Sequence, residues 1–168
     1  MQKSKVFLAN TDFFTYLCLR NQKQAKMDKQ LLPYVYDDGG RSRYFKAKGV
    51  GDCVCRAIAI AGGFDYKEIY EGLRAIGKNP RKGVFTRKAP FKRFMAKLGF
   101  SWVSLCKVGS KQSHHFFEGE LPMNGRLVCS AHRHDVAVID GVVYDTWDSR
   151  YNSWCEPRRV YGYWIYKG

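Results

Sequence analysis

The sequence lacks the features that mark a secreted, metal-stapled or membrane-spanning chain. Its six cysteines are scattered, at positions 18, 53, 55, 106, 129 and 155, and none forms a C-x-x-C pair. Because they are too few to staple a chain of this length, they are interpreted as reduced thiols of a cytoplasmic protein. The longest apolar stretch near the N-terminus, Val6 to Leu19, is interrupted by Asn10 and Asp12, which argues against a signal peptide or a bilayer span. We therefore expect no membrane partner.

Acidic residues are absent from the segment Gly72 to Phe117, whereas the whole chain carries a net charge of +14. Eleven basic residues fall in this segment: Arg74, Lys78, Arg81, Lys82, Arg87, Lys88, Lys92, Arg93, Lys97, Lys107 and Lys111. Such a field attracts nucleic acid, an acidic protein or an acidic substrate, although basic runs are also common on plain solvated faces. The candidate partner-binding residues are Arg87, Lys88, Lys92 and Arg93.

Aromatic residues alternate with these basic residues, and this pattern keeps nucleic acid open as a partner. Rings beside Lys and Arg can stack on bases while the cations hold phosphates. However, Phe91, Phe94 and Leu98 also recur at the helical spacing of an ordinary core face. The segment is therefore interpreted as a docking surface for an acidic partner, with nucleic acid as the alternative.

Linkers, internal repeats and low-complexity tracts are also missing, so nothing marks a second folded domain. Residues 1–48 are assigned to an N-terminal arm with a hairpin, because Tyr34–Tyr36 and Arg43–Lys46 flank the turn sequence Asp37-Asp-Gly-Gly40. Residues 49–168 are assigned to the main domain. At 45% hydrophobic and 15% aromatic, the chain has enough apolar residues to bury a core.

The main domain is predicted to begin with helices and to end with strands. The helices are expected over Cys53 to Ala61 after the cap Asp52, from Asp65 to about Gly77, and over Pro90 to Leu98. The strands are expected over residues 100–106, 127–130, 134–139, 142–147 and 160–166. This segregated order predicts an α+β fold in which a buried helix packs on an antiparallel sheet.

Two of these strands place a histidine beside an aspartate. The runs from His134 to Ile139 and from Val142 to Trp147 are joined by Asp140-Gly141, a strong two-residue hairpin signal. Counting outward from this turn puts His134, Asp145 and Trp147 on one face, with Asp145 diagonal to His134 and Trp147 opposite it. Asp148 falls on the other face. Asp145 is therefore the carboxylate expected to orient His134.

Cys53 is the candidate nucleophile, because the free N–H groups and dipole at a helix N-terminus stabilise a thiolate. Since residues two apart on a helix diverge by roughly 160°, only Cys53 or Cys55 can face His134, and Cys55 aligns with the packing face. Zinc bound by Cys53, Cys55, His132 and His134 is the alternative. The zinc site is disfavoured because Cys53 and Cys55 point in different directions from the helix and cannot both face one ion. His114 and His115 make no better ligands. No metal or other cofactor is expected.

Three features follow one another along the chain: a cysteine that begins a helix after a glycine-rich break, a histidine that begins a strand, and an aspartate that ends the next strand. This order resembles that of the papain-like thiol hydrolase superfamily. The segment Gly51-Asp-Cys-Val-Cys-Arg-Ala57 and the step from His134 to Asp145 look closest to its compact bacterial and transglutaminase-like branches. The first segment, with Tyr144-Asp-Thr-Trp-Asp-Ser149, is also similar to small proteins carried by tailed bacteriophages.

The resemblance implies a papain-like fold over about Gly49 to Tyr166, and a cysteine hydrolase or acyl transferase acting on a protein substrate. Cys53 would be the nucleophile, His134 the general base and acid, and Asp145 the third member. For a phage-carried protein the location would be the cytoplasm of the bacterial host. Asp52 and Trp147, the neighbours of Cys53 and His134, are expected to line the substrate cleft.

One departure from the papain pattern concerns the oxyanion hole. Papain-like enzymes carry an amide side chain shortly before the cysteine, but residues 46–50 contain no Asn or Gln. The Cys53 backbone N–H can supply one donor, and the second is unassigned. Since a lost donor costs about 10²–10³ in rate, this departure bears on activity rather than on fold. The alternative function is a binding protein, for nucleic acid or an acidic protein, on a degenerate hydrolase fold.

Overall fold

A computed structural model of the chain describes residues 29–46, 50–84, 86–106 and 112–168. Within these residues, three helices pack against a six-stranded mixed sheet, which confirms the α+β class. The helices are α1 (Cys53–Gly62), α2 (Tyr66–Ala75) and α3 (Ala89–Lys97). The strands are β1 (Tyr34–Tyr36), β2 (Phe100–Ser104), β3 (Arg126–Ala131), β4 (His134–Ile139), β5 (Val142–Asp145) and β6 (Val160–Tyr166).

The sheet has the strand order β1-β5-β4-β3-β6-β2, and β1 is the strand that runs parallel to its neighbour. All other pairs are antiparallel. Alternate residues of a strand face opposite sides of a sheet. Accordingly Val128 and Ala137 pack in the cluster with the helices, whereas Val136 and Val143 pack in a second cluster with Phe116. The sheet is thus covered on both faces.

Helix α1 is the central element, because every residue from Val54 to Ala61 is buried. It ends at Gly63, which has a φ of 69°. The guanidinium of Arg126 in β3 donates hydrogen bonds to the carbonyls of Ala61 at 2.6 Å and Ile60 at 3.1 Å. The bond to Ala61 gives a carbonyl at the helix end a partner, the bond to Ile60 adds to the one from the Gly63 N–H, and both attach α1 to the sheet.

The hairpin predicted within the N-terminal arm is wrong. Tyr34–Tyr36 is β1, at the edge of the sheet, and Tyr36 is in register with Asp145 of β5. Arg41–Arg43 forms a 3-10 turn instead of a returning strand. The reason is Gly39, whose φ is 64° and whose added Cβ would lie 3.2 Å from the Arg56 carbonyl, so the turn packs against α1. Residues 1–28, 47 and 48 lie outside the described residues, and the boundary at residue 48 stays a prediction.

The hairpin between β4 and β5 forms as predicted. Ile139 pairs with Val142, and the turn residues Asp140 and Gly141 both have positive φ, 48° and 75°. Two positive φ values match the twist of the flanking strands, which is why Asp-Gly is favoured here. The Asp140 carboxylate also accepts a hydrogen bond from the Gly125 N–H at 2.8 Å. This turn sets the register that brings His134 near Asp145.

The cysteines divide into two states. Cys53, Cys55, Cys106 and Cys129 are free thiols, whereas Cys155 is disulfide-bonded. The prediction that every cysteine is reduced is therefore wrong at Cys155, and Cys18 lies outside the described residues. The cytoplasmic location that rested on reduced thiols stays a prediction. Among the described residues, none of the helices has both the length and the apolar character needed to cross a membrane.

Candidate active site

Cys53 is the first residue of α1 and is half-buried at the wall of a cleft. Asp52 occupies the N-cap position, but its side chain makes no capping hydrogen bond to the helix. The first turn of α1 therefore keeps backbone N–H groups that are not used by a side-chain cap. The predicted helix start is correct, whereas the predicted capping by the Asp52 carboxylate is wrong.

Asp52 does not line the cleft, although its place beside Cys53 predicts that it would. It is 0% exposed, and its carboxylate is paired with Arg56 one turn further along α1 and with Arg41 at 2.8 Å. The Tyr66 hydroxyl donates a third contact at 2.7 Å. A buried carboxylate is costly unless it is paired and hydrogen-bonded, and these three partners explain why Asp52 turns inward.

His134 connects Cys53 with Asp145. It is the first residue of β4, and its Nε2 bonds the Oδ2 of Asp145, the last residue of β5. The Cys53 side chain lies close enough to the ring to raise the pKa of His134, and both residues line the same cleft. Since Nε2 faces Asp145, Nδ1 is the ring nitrogen left for the thiol. The predicted diagonal relation of His134 and Asp145 is confirmed, and the cysteine adds a third group to the same line of contacts.

Asp148, the carboxylate predicted to point away, does so. Its two oxygens accept hydrogen bonds from the Arg150 guanidinium, both at 2.8 Å. Arg150 in turn donates to the Leu32 carbonyl at 2.7 Å, beside β1. Asp148 is therefore occupied with a structural contact, and Asp145 is the aspartate that contacts His134.

The electrostatics of the site favour a protonated imidazole. Burial lowers the pKa of His134, but the hydrogen bonds and charges of Asp145 and Cys53 outweigh burial and raise it to about 9. Burial alone would raise the pKa of Asp145, but the bond and charge of His134 hold it below its ordinary value. The described geometry therefore favours an imidazolium between a carboxylate and a thiol at neutral pH.

Arg56 is a site residue that sequence reasoning missed. Its guanidinium pairs with Asp52 through Nη1 and lies 3.3 Å from Asp145 Oδ1 through Nη2. It thus joins the start of α1 to the carboxylate that orients His134. The available signal was one charged residue within an otherwise apolar helix, because a buried arginine is rare unless it is paired.

A second missed residue is Arg158, which lies beneath Trp147. The guanidinium carbon is 5.1 Å from the centre of the indole, and the indole and imidazole centres of Trp147 and His134 are 5.2 Å apart. Arg158 is held by the carbonyls of Ser149, Tyr151 and His132 at 2.7–3.2 Å. Trp147 is 44% exposed and lies beside His134 as predicted, but it is not among the described residues that line the cleft with Cys53, so the prediction that it lines the cleft is wrong. No local sequence pattern indicates that Arg158 belongs to the site, because its hydrogen-bond partners are all backbone carbonyls.

Cys55 has the properties of a buried core residue. Its thiol donates to the Tyr66 carbonyl at 3.6 Å, and burial raises its pKa to about 12. Because it faces Tyr66, it cannot join Cys53, His132 and His134 around one metal ion. Among the described residues, no group of three or more His, Cys, Asp or Glu side chains is placed to hold a metal.

The cleft beside Cys53 and His134 has a volume of about 490 Å³. Lys82, Gly83 and Val84 form one wall, and the β3–β4 connection with His132 and Arg133 forms another. The Nδ1 of His132 lies 2.9 Å from the Tyr161 hydroxyl, which fixes this second wall to β6. Residues 47–49 belong to the segment before Cys53 in which papain-like enzymes carry the oxyanion amide, and they lie outside the described residues.

The four candidate partner-binding residues do not form one surface. Arg87 lines the cleft, and Lys92 of α3 lines a neighbouring pocket that shares residues with it. Arg93 instead lines a groove between α2 and α3, and Lys88 is the exposed residue that precedes α3. The structure thus brings Arg87 and Lys92 together beside the candidate site and places Arg93 in a different groove, whereas Lys88 lines neither the cleft nor the neighbouring pocket.

No protein-family model, curated protein or solved structure matches the chain. The resemblance to papain-like hydrolases and to phage-carried proteins consequently stays a prediction. The case for function rests on the site alone.

Proposed function

We propose that the protein is a cysteine hydrolase with a papain-like arrangement, which cleaves an amide or isopeptide bond in a protein substrate. The observation that carries this proposal is the position of His134, which bonds Asp145 and lies beside Cys53 at the wall of an open cleft. Thiol hydrolysis requires a nucleophile, a base within its reach and a third group that orients the base.

The reaction would begin when the proton of the Cys53 thiol passes to His134 and Sγ attacks the carbonyl carbon of the substrate. The negative charge that develops on the carbonyl oxygen is then stabilised by the N–H groups at the start of α1. His134 transfers a proton to the leaving nitrogen as the C–N bond breaks, and a thioester with Cys53 remains. Asp145 holds the imidazole in position and stabilises its positive charge throughout.

The thioester can be released in two ways. Water activated by His134 gives hydrolysis, whereas a primary amine in the same position gives acyl transfer. Cys53, His134 and Asp145 serve both outcomes equally. The proposal therefore covers a peptidase, isopeptidase or amidase, and a transferase uses the same residues.

The test is covalent trapping of Cys53. The full chain is incubated with a peptidyl vinyl sulfone, and intact-mass and peptide-mapping spectrometry locate the adduct. We expect a single adduct on Cys53, lost in Cys53→Ser and strongly slowed in His134→Ala. Cys106→Ser is the matched control, since Cys106 is the exposed free thiol among the described residues. An adduct that forms equally on Cys53 and Cys106, or equally fast without His134, contradicts the proposal.

The second candidate is a binding protein that keeps the hydrolase fold without turnover. The observation that favours it is the basic character of the residues beside Cys53, which include Arg87 and Lys82. Such a protein would bind its acidic partner or oligonucleotide equally well after Cys53→Ala and would form no acyl-enzyme. The trapping experiment separates the two candidates.

A further inference from the structure

The cleft beside Cys53 continues into a second pocket. This pocket has a volume of about 330 Å³ and shares Thr86, Arg87, Ser130 and Tyr161 with the cleft. Because the four residues line both, the two spaces form one groove that begins at Cys53 and ends at α3 and β2. A groove of this kind holds more of a substrate than the bond to be cleaved.

The charge along this groove is mainly positive. The basic residues described in its walls are Lys82, Arg87, Lys92 and Arg133. Asp135 is the one acidic side chain among the described residues that line either pocket, and burial raises its pKa to about 6. The second pocket, which Arg87 and Lys92 line, has no acidic residue among those described.

The far end of the groove has an aromatic wall made of two tilted rings. Trp102 of β2 and Trp164 of β6 have their ring centres 5.3 Å apart, and Trp102 is 41% exposed. Gly162 makes this position possible, because a Cβ at residue 162 would lie 2.5 Å from the Trp102 ring. The wall can pack against the apolar part of a bound chain while the basic residues contact its charges.

We propose that this groove binds an acidic segment of the polypeptide substrate, with carboxylates held by Arg87 and Lys92. This inference rests on the proposed function, since it takes Cys53 as the site of the reaction. Arg87 and Lys92 are then specificity-determining residues, and Lys88 and Arg93 lie outside the groove. Carboxylates fit the guanidinium of Arg87, which can donate two parallel hydrogen bonds.

A polypeptide fits this groove better than a nucleic acid. The groove leads to Cys53 and His134, which in the proposed function attack a carbonyl carbon, and the phosphodiester backbone of a nucleic acid contains none. The walls also enclose two pockets rather than an open stripe along the surface. An extended chain with alternating side chains can fill both pockets, with one side chain in each.

The experiment measures binding to the full chain carrying Cys53→Ala, so that it does not depend on turnover. Fluorescence anisotropy gives the Kd of three fluorescein-labelled peptides of equal length, built on Gly and Ala with four Glu, four Gln or four Lys. A labelled oligothymidine of the same length is the fourth probe. We expect the Glu peptide to bind at least about tenfold more tightly than the Gln peptide, and this preference to shrink between about 50 and about 200 mM NaCl.

Two double variants locate the site. Arg87→Ala with Lys92→Ala should weaken the Glu peptide about tenfold and leave the Gln peptide unchanged. Lys88→Ala with Arg93→Ala removes the same charge outside the groove and should weaken it by less than about twofold. Circular dichroism melting of both variants identifies any loss of folding.

Three results would overturn the inference: equal binding of the Glu and Gln peptides, equal losses in the two double variants, or tighter binding of oligothymidine that depends on Arg87 and Lys92. Failure of the proposed function is distinguishable from each of these. In that case the Glu peptide binds as expected, while the vinyl sulfone fails to modify Cys53.

Discussion

The Arg56 guanidinium lies 3.3 Å from the Asp145 carboxylate that bonds His134, and the same guanidinium pairs with Asp52 at the start of α1. One buried cation thus connects α1, which carries Cys53, with the β5 carboxylate that bonds His134. Arg56 touches no atom that would react, so it is a positioning residue. Its removal leaves two buried carboxylates with one partner fewer.

Arg56→Gln should therefore destabilise the fold. Removing one member of a buried ion pair leaves an uncompensated charge, which costs about 3 kcal/mol in the free energy of unfolding. Urea denaturation measures this loss. The matched control is Arg74→Gln, where an exposed guanidinium lies 3.5 Å from Glu71, and it should change the free energy by less than about 0.5 kcal/mol. Similar losses in the two variants would show that the network around Arg56 contributes nothing to stability.

The reactivity of the thiols provides a second prediction. Brief treatment with iodoacetamide near neutral pH should label Cys53 faster than Cys106, although Cys106 is the more exposed, because Cys53 lies at the start of α1 beside the cationic His134 ring. Cys55 should label slowest, since burial raises its pKa to about 12. Quantitative peptide mapping measures all three rates. If Cys53 reacts no faster than Cys106, the assignment of the nucleophile is wrong.

The signals for helix α2 and for the β4–β5 hairpin proved reliable because they are local. Asp65 accepts hydrogen bonds from the N–H groups of Lys67 and Glu68, as its capping-box spacing predicts, and Asp140-Gly141 forms the predicted turn. The relation between His134 and Asp145 follows from that turn by counting residues. Each of these predictions needs only neighbours in the sequence.

The remaining features depend on contacts that no local pattern contains. Asp52 turns inward because Arg41, from a turn before α1, and Tyr66, from α2, both reach it. Tyr34–Tyr36 pairs with β5 rather than with Arg43–Lys46 because the intervening turn packs on α1. Counting which face of a strand each residue occupies does not explain why Cys53 lies close to His134. Val136 of β4 and Val143 of β5 pack in the cluster on the sheet face away from α1, so Cys53 approaches His134 where β4 begins.

The titration of His134 predicts a pH dependence of stability. Its pKa is about 9 in the folded protein and near 6.5 when unfolded, so the folded state binds more protons between these values. The stabilisation is fully present below about pH 6.5 and is lost as the pH rises through 9. The free energy of unfolding should therefore fall by on the order of 2 kcal/mol from pH 7 to pH 9.5. Urea denaturation should find this slope much reduced in His134→Gln, and an unchanged slope would contradict the assignment.

The last prediction concerns which aspartate orients the imidazole. Asp145→Ala removes the acceptor for His134 Nε2 and should slow modification of Cys53 by the vinyl sulfone about 10²-fold. Asp145→Asn should lose less, because its amide oxygen can still accept that hydrogen bond. Asp148→Asn is the matched control, since Asp148 bonds Arg150 and not His134, and its rate should stay within about twofold of the unmodified chain. The pH profile distinguishes orientation from general damage, because loss of the Asp145 charge lowers the pKa of His134 and should shift the alkaline limb of the rate towards neutral pH. A slower rate without that shift would mean that Asp145 supports the fold rather than the imidazole.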